Sequence, residues 1–587
     1  MASTEERIQA TIHSLEMGRL AVWVRRVVAV LAAVALACLY LFNEFRGFGA
    51  REAMEQGQIA RSIASGEGWK TKVLRPLALG ELRREGRPLG EAMWRDTFHA
   101  PLPPLVNALP VLAVKGGWKL TPREPVYAPE LAIAAMSMLL FFGALAFQFH
   151  LARTLFDGTV AWISCGLVLV CEAMWRYSVS GLPQMLMLFL LNGTLWALVG
   201  AIRARALGGH AVAWTAAAGC GFGLLALSHA LTVCVFVPAA IFFAVVCRKR
   251  PVLPVVLVLV FLAVWVPWLA RNQAVCGDWR GIARLALLDG VGGSLAGHLR
   301  QFEIGSLFAP EAIAARMKSN FIGQFDRGFE QIGWSLATLF GFASLLHRFR
   351  RPATASARVL ILLMWAGAVG GMSLVGVPTD FGVSANQLHL LFVPAWSCYG
   401  VAFLLVLWNR RIGYSAAFAA SSESVRRWAG WAMLAVLFAA SAMPLILRSP
   451  WKLNFQKLQW PPYLPHYISV LGDWTEPGEI IATDMPWAVA WYADRPALWL
   501  PRTIREFTDL SDYQVLGGPL TALYLTPVSG SMNSIGDLVG GEYAGWTPLI
   551  LRQFDRVPAN FPLKRAVLLG RPECVFMSDR ERRKRVQ

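Results

Sequence analysis

From its N-terminus the chain is a succession of apolar runs close to 20 residues long, each closed by a short polar or basic stretch. An α-helix of about 20 residues matches the hydrocarbon core of a bilayer, roughly 30 Å thick. On that criterion membrane-spanning helices are expected at about 23–43, 129–150, 158–176, 182–201, 211–228, 230–247, 252–270, 331–347, 358–376, 388–408 and 429–448, about 11 in all. The interval Pro101–Val114 is apolar too, but it is short and carries Pro101, Pro103, Pro104 and Pro110. It predicts an interfacial or re-entrant segment entered through extended backbone.

Polar positions between the runs set an orientation. The connections 151–157, 202–210, 248–251, 348–357 and 409–428 hold Arg153, Arg203, Arg205, Arg248, Lys249, Arg250, Arg348, Arg350, Arg351, Arg410, Arg411, Arg426 and Arg427, whereas 177–181, 229 and 377–387 hold no Lys or Arg. By the positive-inside rule the N-terminus is cytoplasmic, and an odd number of spans places 449–587 outside. The polar, weakly amphipathic stretch Met1–Leu20 lacks a cleavage-site pattern, so the first span is expected to be retained. Three segments are long enough to fold, 44–128, 271–330 and 449–587, and all fall on the outer side. Chemistry is expected where they meet the membrane.

Composition then fixes the class. The 587 residues are 56% hydrophobic and 16% charged, with a mean hydropathy of +0.47, against about 45–50% and about 25% in soluble globular chains. The fold class is therefore a multi-span α-helical membrane protein; a disordered chain, a collagen-like repeat and a disulfide scaffold are excluded. The net charge of +18 sits between the spans and is largely topological, so no nucleic-acid partner is expected. Nine cysteines contain no CxxC, which removes a zinc site of that type and a redox pair.

Candidate chemistry lies at the ends of the runs. Arg51 to Ala64 has a helical period and stops at Gly66 and Gly68, with Glu52 and Glu55 one turn apart on one face. Two acids at a helix start answer the helix dipole, and they equally suit a general base or a metal-binding carboxylate. His99, before the proline cluster, suits either an interfacial cap or a phosphate or metal ligand. Arg271 and Asn272 follow Trp265 and Trp268, a pattern that serves interfacial anchoring and phosphate binding alike. Gln387, His389 and Gln184 sit at span boundaries, where polar residues face a bundle interior or cavity. Beyond residue 449, Glu479–Asp484, Pro496–Pro501 and Ala522–Leu525 read as strands and Pro486–Tyr492 as a helix, a small α/β domain.

Taken together, the acids ahead of Ile59-Ala60-Arg61 and Gly66/Gly68, the run His99-Ala100-Pro101-Leu102-Pro103-Pro104-Leu105, Pro267-Trp268-Leu269-Ala270-Arg271-Asn272 and Pro394 in a late span resemble the membrane glycosyltransferases of the GT-C type. The resemblance is to the bacterial branch related to protein O-mannosyltransferases and aminoarabinose transferases, and it covers spans one to ten. It implies a GT-C-like transmembrane domain over 1–448 followed by a C-terminal extracytoplasmic α/β domain over 449–587. It further implies an inverting transferase that moves a sugar from a polyprenyl-phosphate carrier to an acceptor (lipid, glycan or protein) at the outer leaflet. By register on Ile59-Ala60-Arg61, Glu52 takes the place of the family's carboxylate base, with Glu55 second. Arg271, Asn272, Gln387, His389 and His99 are then candidates for the donor phosphate, and Glu52 and His99 for a divalent metal ion. The competing readings are a transporter or flippase of lipid-linked saccharide and an O-antigen-type polymerase or ligase. A transporter predicts internal repeats and midplane charges, and the sequence offers neither.

Overall fold

The computed structural model describes residues 19–87, 89–121, 124, 126–207, 210–288, 298–302, 310–408, 423–447, 465–512, 515–516, 518–529, 540–568 and 574–582. The stretch 1–18, residues 409–422 of the basic connection and the end of the chain after 582 lie outside them. Among the described residues seven helices are long and apolar enough to cross a membrane: Ala128–Leu155, Gln184–Arg205, Ala211–Ser228, Val252–Cys276, Pro352–Val375, His389–Leu407 and Trp428–Leu447. An eighth expected span is a pair, Gly158–Leu169 and Glu172–Ser178, bent by 61°. The other three, Arg26–Phe42, Ala230–Val246 and Leu336–Leu346, are apolar helices shorter than 18 residues. Helix therefore forms on every expected run.

Burial separates the centre of the bundle from its rim. Gln184–Arg205 and His389–Leu407 are each 72% buried over their most apolar stretch, whereas Val252–Cys276 is 17% buried and turns Val255, Leu259 and Leu262 outward. The central helix His389–Leu407 meets Leu336–Ala343 at glycines. A Cβ on Gly400 would stand 1.8 Å from the Ala337 carbonyl oxygen, and one on Gly341 would stand 2.3 Å from that of Trp396. Backbones approach this closely only without side chains, a packing mode typical of membrane helices. Gly400→Ala is expected to destabilise the protein by about 1–3 kcal/mol through overpacking, read as a lower melting temperature in detergent; an unchanged melt would mean that the two helices do not touch there.

One local expectation fails. The proline cluster does not extend the chain: the helix Leu102–Ala113 begins beside Pro101, with Pro103 and Pro104 in its first turn. Nitrogens of a first turn have no intrahelical acceptor, so proline loses nothing there. Leu105, Leu109 and Leu112 are exposed along one side, and Asn107, Ala108 and Val111 are buried along the other.

The C-terminal segment supplies five strands of a six-stranded sheet in the order β1-β3-β2-β4-β6-β5. Strands β2 (Ile480–Thr483), β3 (Ala497–Trp499) and β4 (Leu520–Leu525) fall where the sequence predicts them, while β5 (Arg565–Leu568) and β6 (Val575–Ser578) add an antiparallel edge. The remaining edge strand, β1 (Val73–Leu74), comes from the first long loop and pairs parallel with β3, Val73 beside Ala497 and Leu74 beside Leu498. Leu74, Leu79 and Leu82 of that loop enter one apolar cluster with Leu498, Phe507, Trp546 and Phe561. The first loop is thus fastened to the C-terminal layer, which fixes the position of the acidic helix.

Candidate active site

The acidic helix Arg51–Ala64 starts at Ala50 without a side-chain cap and ends where Gly66 and Gly68 take positive φ angles of 87° and 81°. Its back is held from the C-terminal domain. Gly57 lets the Trp491 ring lie against the helix, since a Cβ there would be 3.1 Å from the indole. One turn later Arg61 is buried and donates to the Ala490 and Trp491 carbonyls at 2.8 and 2.9 Å, to the Tyr127 hydroxyl at 3.0 Å and to Asp494 at 2.7 Å. Trp491 Nε1 and the Tyr492 hydroxyl donate in turn to the buried Glu130.

With its back clamped, the helix presents Glu52 and Glu55 to a cavity of about 950 Å³. The far walls are the helix Pro310–Asp326, the segment Val375–Asn386 and two tryptophans of the C-terminal domain, Trp487 and Trp499. Glu55, with its side chain 5% exposed, is ion-paired with Arg75 and lies 2.8 Å from His99 Nε2. Glu52 is 3.5 Å from the same nitrogen, accepts a hydrogen bond from Gln56 at 2.7 Å and leaves 26% of its side chain open. His99 Nδ1 is 3.0 Å from Asp96 Oδ1, and the Arg75 guanidinium stacks 3.9 Å from the Phe98 ring centre.

These charges set one another. Burial raises the Glu52 pKa, but the His99 charge and hydrogen bonds from His99 and Gln56 outweigh it and push the group down to about 2. Glu55 falls as well: desolvation opposes the shift, and Arg75 and His99 win. Burial lowers His99, yet Glu52 and Asp96 hold it well above the usual imidazole value. The site is therefore two carboxylates kept ionised by a buried cationic histidine and an arginine.

Among the described residues, Glu52, Glu55 and His99 form the group able to hold a metal ion; each offers one ligand atom, all within 4.8 Å of one another. With a cation bound, His99 would give up its Nε2 proton, and Asp96 on the opposite ring nitrogen is the usual outer partner of a metal-ligating imidazole, so the residues present fit a divalent cation.

Other sequence candidates lie elsewhere. Arg271 donates to the Asp96 carbonyl at 2.7 Å and stacks over Trp268, and Asn272 is buried beside it; together they buttress the Asp96–His99 turn from behind. His389 accepts a hydrogen bond from Trp365 Nε1 at 3.0 Å, and Gln387 accepts one from the His389 backbone at 3.1 Å. Both are buried, and the cavity wall at this point is the neighbouring Ser384–Asn386. Gln184 fixes that wall by donating to the Ser384 and Ala385 carbonyls. Sequence reasoning missed Arg75, Asp96 and Arg316. Asp96 carried a usable signal, a carboxylate three residues before His99; Arg316 lies on a polar helix inside a long loop and carried none.

No protein-family model matches the chain, and no curated protein matches its sequence. Solved structures do match. ArnT from Cupriavidus metallidurans bound to undecaprenyl phosphate is 13% identical, with a TM-score of 0.53 over 94% of this chain and 98% of that one. The Archaeoglobus fulgidus oligosaccharyltransferase tethered to an acceptor peptide is 13% identical, with a TM-score of 0.51 over 85% of this chain and 68% of that one. The oligosaccharyltransferase AglB from Archaeoglobus fulgidus in complex with an inhibitory peptide and a dolichol-phosphate is 12% identical, with a TM-score of 0.50 over 85% of this chain and 69% of that one. The chain has the fold of the GT-C membrane glycosyltransferases that its motifs resemble. The likeness of fold to ArnT runs over nearly the whole of both chains.

Proposed function

We propose that the chain is an inverting glycosyltransferase of the inner membrane, taking a sugar from a polyprenyl-phosphate-linked donor and moving it to an acceptor at the outer face. The N-terminus is then cytoplasmic, about 11 helices cross, and the sheet domain is extracytoplasmic. The observation that carries this reading is Glu52, partly open, beside His99 and on the wall of a cavity that three extramembrane segments share. In the reaction the acceptor oxygen bonds to the anomeric carbon as the bond from that carbon to the phosphate oxygen breaks. Displacement from the opposite face inverts the centre. Glu52 orients the acceptor hydroxyl and takes its proton as attack proceeds, because so acidic a carboxylate becomes a competent base only once the new bond has made the hydroxyl strongly acidic. The departing polyprenyl phosphate gathers negative charge, and Arg316 and Asn320, held on the facing wall by hydrogen bonds to the Leu374 and Ser373 carbonyls, bring a guanidinium and an amide to it. Arg271 and His389, turned away from the cavity, are assigned supporting roles.

The test is transfer by the purified full-length protein in proteoliposomes given radiolabelled polyprenyl-phosphate sugars and envelope extract. Label moving into acceptor is the expected result. Solute flux or carrier movement without transfer would replace this reading with a transporter.

A divalent cation would be held by Glu52, Glu55 and His99 and would supply positive charge where the acceptor hydroxyl loses its proton. Calorimetric titration of chelator-treated protein with Mn²⁺ is expected to show binding that His99→Ala removes. Asp96→Asn should weaken it about 10–100-fold, the usual cost of losing an outer-shell partner. Binding indifferent to His99→Ala would place the ion elsewhere.

A further inference from the structure

The proposed transferase leaves its acceptor unnamed, and the sheet carries information about it. Strands β3, β2 and β4 run parallel, with β2 between the other two. The chain leaves β2 for β3 on one side and then crosses to β4 on the other, so the carboxyl end of β2 is a topological switch point, where parallel α/β sheets bind ligands. Trp487 follows β2 by four residues and Trp499 is the last residue of β3. Both therefore stand at the carboxyl edge of the sheet, and both line the cavity that holds Glu52 and Glu55.

The two indoles are fixed. Their ring centres are 5.8 Å apart at an interplanar angle of 83°. Trp499 is buried, 5% exposed, in a cluster with Leu77, Leu285 and Leu299, and Trp487 packs on that cluster while remaining half-buried. An aromatic face held rigid in a cavity that also carries Glu52, Glu55, Arg316 and Asn320 offers flat apolar area at little entropic cost, next to groups that hydrogen-bond hydroxyls. A pyranose matches both surfaces, with a face of C–H bonds and a rim of hydroxyls.

We propose that Trp487, backed by Trp499, is the stacking platform for a sugar ring of the acceptor, so that the acceptor is a saccharide or saccharide-bearing lipid. This rests on the transferase reading for the word acceptor, but binding of a sugar ring at Trp487 is measurable without turnover.

The experiment is ligand-observed saturation-transfer NMR on the full-length protein in nanodiscs. The probes are methyl β-D-glucopyranoside, methyl β-D-galactopyranoside and methyl N-acetyl-β-D-glucosaminide. At least one is expected to show transfer to its ring C–H protons. Trp487→Ala should weaken that binding about two- to tenfold, the range that loss of an aromatic contact implies, and Trp487→Tyr should retain it. Should the alanine variant lose its monodisperse profile, Trp487→Leu carries the same comparison. The pyranoside signal is read without donor or turnover: loss of transfer with the signal intact removes only the transferase reading, and loss of the signal with transfer intact removes only the platform, so the two ideas fail separately. No signal from any probe, or a signal indifferent to loss of the indole, would overturn the platform. Displacement of the probe by undecaprenyl phosphate would overturn the acceptor assignment in favour of the donor's sugar.

Discussion

Glu52→Gln is expected to lower the rate of sugar transfer about 10²–10⁴-fold, the contribution of one positioned general base, while the protein still folds. The substitution exchanges one carboxylate oxygen for an amide of the same shape at a side chain 26% exposed to the cavity, and the Gln56 amide keeps an acceptor there. Glu55→Gln is a different experiment. Glu55 is buried against Arg75 and His99, so neutralising it strands a buried guanidinium, a loss of about 3–5 kcal/mol when one partner of a buried pair is removed. The pair of variants therefore separates chemistry from architecture. Radiolabel transfer and a melting curve are measured for each. Full transfer by Glu52→Gln would remove the base assignment, and slow transfer accompanied by a collapsed melt in Glu52→Gln alone would move Glu52 into the structural group.

The contrast between these neighbours shows what the sequence could and could not convey. A spacing of three residues puts both acids on one face, and the bilayer's length requirement made the long apolar helices readable from apolarity. Which acid is sealed depends on Arg75, some 20 residues on, and on His99, brought back by the turn that Asp96 and Arg271 hold. No local period encodes such meetings. β1 is two residues long and gains its identity from Ala497 and Leu498, more than 400 positions away. His389 reads as facing a bundle interior or a cavity by its place at a span end; which of the two depends on a neighbour the local sequence does not name, the Trp365 indole that it meets in the interior. The strands β2 to β4 were readable because they are short apolar runs bounded by turn residues, buried on both faces as parallel strands are.

The same long-range dependence sets the second large expectation, at Arg61. One guanidinium satisfies the Ala490 and Trp491 carbonyls and the Tyr127 hydroxyl at the point where the acidic helix meets the C-terminal domain. Its ion pair with Asp494 contributes less than the short distance suggests, because that carboxylate is 49% exposed and shares its Oδ1 with Lys72. Arg61→Ala is therefore expected to destabilise the protein by about 3–5 kcal/mol, since each buried acceptor left without its donor costs about 1–3 kcal/mol. Asp494→Asn should cost at most about 1 kcal/mol: asparagine tolerates the positive φ of 55° at this position and keeps an oxygen for Arg61. Arg61→Lys should fall near the alanine variant, because an ammonium cannot reach carbonyls on both sides as a planar fork does. Thermal unfolding followed by tryptophan fluorescence reports the ranking, with Trp491 itself at the junction. An Asp494→Asn loss as large as that of Arg61→Ala would mean that the ion pair, and not the buried carbonyls, holds the acidic helix in place.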